Sequence, residues 1–93
     1  MPIMIRVSFP THLRRHFPVP SDCSAEGTTV ADVVRDLERQ FPGLTAYLIH
    51  EDGSLRQHVN IFLDERWLRD RRKLTDTVAG VGQLHVIQAL SGG

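Results

Sequence analysis

Few groups in this 93-residue chain have the types and spacing to do chemistry. The clearest is the end of the sequence, where Gln83-Leu84-His85-Val86-Ile87-Gln88-Ala89-Leu90-Ser91 leads into Gly92-Gly93. At an average glycine usage of roughly 7%, a terminal pair arises by chance about once in 200 chains. The pair is therefore either a reactive carboxylate end or a frayed one. His12 and His16 have the i, i+4 spacing of a helical metal pair, but Pro10, Pro18 and Pro20 argue against a helix there, so no metal site is expected. His50 and His58 lack partners at ligand spacing. Cys23 has no neighbouring histidine and no CxxC partner, and reads as a small packed residue rather than a nucleophile. Asp64 and Glu65 read as turn acids, and Gly80 and Gly82 flank a valine in a plain turn, not a phosphate loop.

Composition narrows the function classes. A chain this short is one domain, burying about 60–65% of its unfolded surface, which leaves little room for a deep catalytic cleft. Lys+Arg and Asp+Glu are 11 each, so the formal net charge is zero, against nucleic acid as the default partner. The basic cluster Arg69-Asp70-Arg71-Arg72-Lys73 is short and interrupted, and reads as a solvated loop. One cysteine allows no intrachain disulfide; no apolar run reaches membrane-spanning length, and the N-terminus lacks a signal-peptide pattern. A cytoplasmic location without membrane contact is the expectation.

The elements that must position the tail follow from periodicity. Ile3, Ile5, Val7 and Phe9 alternate with polar or exposed-type residues, a half-buried strand closed by Pro10. Thr11 to Pro20 has no clean period and reads as loop. A weak strand is expected near Val19 to Ala25, with Cys23 and Ala25 inward. Thr29 is a good N-cap with Asp32 three residues on, and Val30, Val33, Val34, Leu37 and Phe41 fall on one face of a helix ended by Pro42-Gly43. Leu44 to Ile49 is a short apolar connector. Val59, Ile61 and Leu63 mark a third strand, Asp64-Glu65 a turn, and Trp67-Leu68 a short return strand. Leu84 and Val86 alternate within the last strand. One helix must bury its stripe on one face of the sheet. Placing the first and last strands side by side and parallel gives an α+β, β-grasp (ubiquitin-like) arrangement: a mixed sheet of four to five strands on one main helix. Residues 1–90 form this domain and 91–93 a flexible Gly-Gly tail.

Thr29-Val30-Ala31-Asp32-Val33-Val34, Val59-Asn60-Ile61-Phe62 and Ala89-Leu90-Ser91-Gly92-Gly93, in this order of elements, resemble the ubiquitin-like sulfur carriers of the MoaD/ThiS type. Pro10-Thr11-His12-Leu13-Arg14 and Leu55-Arg56 are similar to the CysO-type members. The chain departs from them at Gln88, where they usually have proline, at Val81-Gly82 in place of Asp-Gly, and at Phe17-Pro18-Val19-Pro20, where a Gly-Gly loop is usual. The resemblance implies a carrier and not an enzyme. An E1-like (MoeB/ThiF-type) adenylating enzyme would use ATP to activate the Gly93 carboxylate, and sulfur would then give a thiocarboxylate. A sulfur-acceptor enzyme, first among them a pyridoxal-phosphate (PLP)-dependent cysteine synthase, would take that sulfur. The alternatives are molybdopterin, thiamin or secondary-metabolite synthesis, or covalent modification of other proteins. The carrier itself needs no bound cofactor or metal.

Gly92 and Gly93 suit such a reaction because no Cβ widens the tail as it enters another protein's ATP site. If Val59, Ile61, Leu63, Leu84 and Val86 face the helix, Phe62, His85 and Ile87 face outward as an apolar patch that a lone domain has no reason to show. Together with Leu90, which could anchor the emerging tail, and the small Ser91, they are the expected partner-binding residues.

Overall fold

The alternation in the first strand is resolved by burial. In the computed structural model, which describes residues 3–88, Ile5 and Val7 of β1 (Ile3–Ser8) are almost wholly buried while Met4 and Arg6 are exposed. The chain then forms α1 (Thr11–His16), β2 (Asp22–Gly27), α2 (Val30–Gln40), a 3-10 turn (Leu44–Tyr47), β3 (Val59–Leu63), β4 (Arg66–Trp67) and β5 (Gln83–Gln88). The strand order is β2-β1-β5-β3-β4, with β1 and β5 parallel in the centre and the other pairs antiparallel. First and last strands therefore meet, as the sequence suggests.

α1 is a correction to the loop expected over 11–20. Proline disfavours a helix interior, but Pro10 stands at the N-cap with extended angles (φ −74°, ψ 154°), where its missing N–H costs nothing. Its carbonyl accepts from the Arg14 N–H at 3.2 Å, and the Leu13 carbonyl accepts from Phe17 N–H at 3.0 Å. Leu13, 1% exposed, pins the helix to the core. The second strand is also displaced, running from Asp22 to Gly27 rather than from Val19. Phe9 N–H donates to Ser21 O just ahead of it, and Ala25 and Gly27 face inward.

α2 follows its sequence signals. The Thr29 hydroxyl accepts from Asp32 N–H, and the Asp32 carboxylate accepts from the N–H groups of Thr28 and Thr29 and from the Thr28 hydroxyl. This reciprocal capping box satisfies donors that a helix N-terminus leaves open. Val30, Val33, Val34 and Leu37 are buried on the sheet. Gly27 lies so close beneath the first turn that a Cβ there would sit 2.5 Å from the Asp32 Cβ. At the far end Gly43 takes φ 97°, turning the chain into the 3-10 segment, and Phe41 meets Phe9 edge-on at 6.2 Å.

The stretch before β5 is irregular but tightly tied. Leu74 and Val78 are buried, and Leu74 holds φ 56°, uncommon for a side chain of its size. Asp70 accepts from the N–H groups of Arg72, Lys73 and Thr75 and from the Thr75 hydroxyl, gathering the loop around one carboxylate. The basic cluster is thus not simply solvated. Arg71 is half-buried and donates to Arg56 O (2.8 Å), Val59 O (2.9 Å) and Asn60 Oδ1, fixing the entry to β3.

Candidate functional site

The sheet has two faces, and α2 covers one. On the other, pairing sets a row across the strands: Ser8 of β1 opposite His85 of β5, His85 opposite Phe62 of β3, and Phe62 opposite Trp67 of β4. Alternation explains why these residues share a face, since Val7, Leu84, Ile61 and Leu63 beside them all point into the core. The Phe62 and Trp67 rings meet edge-on at 4.8 Å, and Phe62 and His85 lie 6.5 Å apart at 45°. Ser8 Oγ and His85 Nδ1 share a hydrogen bond of 2.7 Å, which fixes the imidazole plane. Ile87, 37% exposed, follows two residues on and pairs with Asn60, whose side chain is held by Arg71.

Of the partner-binding residues expected from sequence, the structure places Phe62, His85 and Ile87 together on this outer face. Leu90, Ser91, Gly92 and Gly93 lie outside the described residues. Trp67 was missed by sequence reasoning, yet it is 55% exposed and the largest side chain on the face. A signal for it exists. The Asp64-Glu65 turn pairs Leu63 with Arg66, which sets Phe62 opposite Trp67.

That turn also starts β5. Asp64, in the left-handed region at φ 54°, accepts from Gly82 N–H at 2.9 Å and Gln83 N–H at 3.0 Å. These two hydrogen bonds hold its carboxyl below the usual range. A shallow groove of about 680 Å³ lies here, lined by Asp64, Arg66, Val81, Gln83 and His85. It is at the end where β5 begins, opposite to the end from which the sequence continues past Gln88. Cys23 is half-buried, and burial followed by the Asp22 charge pushes its thiol up, so it is poorly suited to attack as a thiolate. No group of three or more metal-ligating side chains occurs among the described residues. No helix among them is long and apolar enough to cross a membrane.

A mixed five-strand sheet whose central parallel pair joins the two ends of the chain, with one main helix across one face, is the β-grasp arrangement, and this chain is a ubiquitin-like β-grasp protein. It belongs to the ThiS family, whose family model matches residues 8–93. It is 31% identical to the sulfur carrier protein CysO of Mycobacterium tuberculosis over 91 residues, 96% of this chain and 98% of that one. Among solved structures it is similar to a chain of the BexX/CysO complex of Amycolatopsis orientalis (30% identity, TM-score 0.80, 96% of this chain and 99% of that one). SAMP1 of Haloferax volcanii shares the fold at 19% identity and TM-score 0.79, covering 98% of this chain and 100% of that one.

Proposed function

We propose that this chain is a sulfur carrier, a substrate and partner of enzymes rather than a catalyst. An E1-like enzyme of the MoeB/ThiF type transfers the AMP of ATP to the Gly93 carboxylate and releases pyrophosphate. A hydrosulfide-level donor then attacks the acyl carbon, AMP leaves with the electron pair of the broken C–O bond, and a terminal thiocarboxylate remains. A biosynthetic enzyme takes that sulfur, with a PLP-dependent cysteine synthase the first candidate. One observation carries this reading: the ThiS match runs to residue 93 and so includes Gly92-Gly93, in a chain whose mycobacterial relatives are named sulfur carrier protein.

The outer face supports it physically. Phe62, Trp67, His85 and Ile87 form an aromatic and aliphatic surface on rigid strands, the composition that carries affinity at protein interfaces. Ordering the tail in an ATP site costs roughly 1–2 kcal/mol per residue, so a docking surface upstream must supply binding free energy. In sequence, Leu90 and the small Ser91 stand between β5 and Gly92-Gly93.

The test is the intact mass of the chain co-expressed with its adenylating enzyme and a sulfur donor. Replacement of one oxygen by sulfur, abolished by deleting Gly92-Gly93, is the expected result. Ladders of adducts on other proteins' lysines would instead identify a covalent modifier. No change, with an adenylating enzyme competent on another carrier, would refute both. Capture of the acceptor by the thiocarboxylate form then separates cysteine synthesis from molybdopterin, thiamin and secondary-metabolite pathways.

A further inference from the structure

We propose that His12 and His16 form a two-nitrogen site for a late first-row divalent cation, Cu²⁺ first, then Ni²⁺ and Zn²⁺. Their spacing suggests a pair only if the backbone between them is helical, and the structure makes it so: α1 spans Thr11–His16. Residues at i and i+4 of a helix are neighbours on its surface, and the two imidazole rings stand 4.9 Å apart between centroids at 69°. From there each ring can turn one nitrogen toward a common ion at the roughly 2.0–2.1 Å that metal–imidazole bonds require.

The support is preorganised. Leu13, between the two histidines, is buried, so α1 cannot roll without exposing it. Both histidines are exposed, and no hydrogen bond among the described residues engages either ring. The only other side chains on this helix that carry charge are Arg14 and Arg15. With no carboxylate on the helix the site offers nitrogen alone, which favours Cu²⁺, Ni²⁺ and Zn²⁺ and disfavours Mg²⁺ and Ca²⁺. The remaining positions on the ion are open to water or to a group from a docked protein. Because β1 and β5 are parallel, α1 sits at the end of the sheet where β5 finishes.

The experiment is isothermal titration of the untagged full chain with CuCl₂, NiCl₂ and, separately, MgCl₂. One equivalent of Cu²⁺ or Ni²⁺ should bind with micromolar affinity, and Mg²⁺ should not. His12→Asn and His16→Asn should each weaken binding about tenfold or more, because one of two ligands is lost. Both positions are exposed, and unchanged thermal unfolding of the apo variants will show that the fold is kept. His50→Asn, His58→Asn and Cys23→Ser should bind as the parent does. Absence of saturable binding up to about 1 mM metal, the millimolar limit of weak affinity, would overturn the site. So would binding that follows Cys23→Ser, or that survives both His12→Asn and His16→Asn.

Discussion

Single side chains close the loops of this small fold, and their removal should be measurable one at a time. The hydroxyl of Thr75, followed by the backbone N–H of Lys73, holds the Asp70 carboxyl at about 2, against an ordinary value of 3.8. Asp32 is held at about 2 as well, first by the Thr28 hydroxyl and backbone N–H. A carboxyl whose folded value lies below its unfolded one adds stability that is complete above the unfolded value and is lost as pH falls through the folded one. Thermal unfolding should therefore drop between about pH 4 and pH 2. Asp70→Asn should flatten part of that slope, while lowering the melting temperature at pH 7. Arg71 offers a second check. Arg71→Ala leaves the carbonyls of Arg56 and Val59 and the Asn60 amide oxygen short of a donor, a loss of about 1–3 kcal/mol in denaturant unfolding. Gly27→Ala should cost a similar amount, about 1–3 kcal/mol, by forcing a Cβ against the first turn of α2.

At the scale of elements, α2 and the outer face of the sheet make separate predictions, one for stability and one for the proposed docking. Thr29→Ala removes one half of the capping box and should cost about 1 kcal/mol with no effect on partner binding. Phe62→Glu or Ile87→Asp should do the reverse: unfolding nearly unchanged, and affinity for the adenylating enzyme down about tenfold or more, read by titration calorimetry. Unchanged affinity with intact folding would remove the outer face from the proposed docking surface. The elements legible in the sequence were those with a long period or an explicit cap. The stripe Val30, Val33, Val34, Leu37 and the alternation of β1, β3 and β5 needed no tertiary information. α1 was not legible because six residues carry too little period, and its helix rests on one buried leucine and the burial geometry around it. The bounds of β2 failed for a related reason: Cys23, Ala25 and Gly27 are too small to advertise a face. Trp67 was readable only through the register of a tight turn.

For the whole molecule, the zero net charge conceals an asymmetry by face rather than by sign: one sheet face is core, and the other carries the exposed Met4, Trp67 and Ile87. The centre of the sheet has a further consequence. β1 finds its inner neighbour only in residues 83–85, and the Ser8–His85 hydrogen bond spans 77 positions of sequence. Until that stretch has been synthesised, β1 and β3 both present unpaired edges where β5 belongs, and such edges invite pairing with other chains. Contacts of this separation also slow folding, since the loop must close before they contribute. A version ending at Gly82 should therefore aggregate rather than fold, a result that light scattering and circular dichroism will show. β5 is thus the keystone of assembly: without it neither β1 nor β3 has its partner at the centre of the sheet.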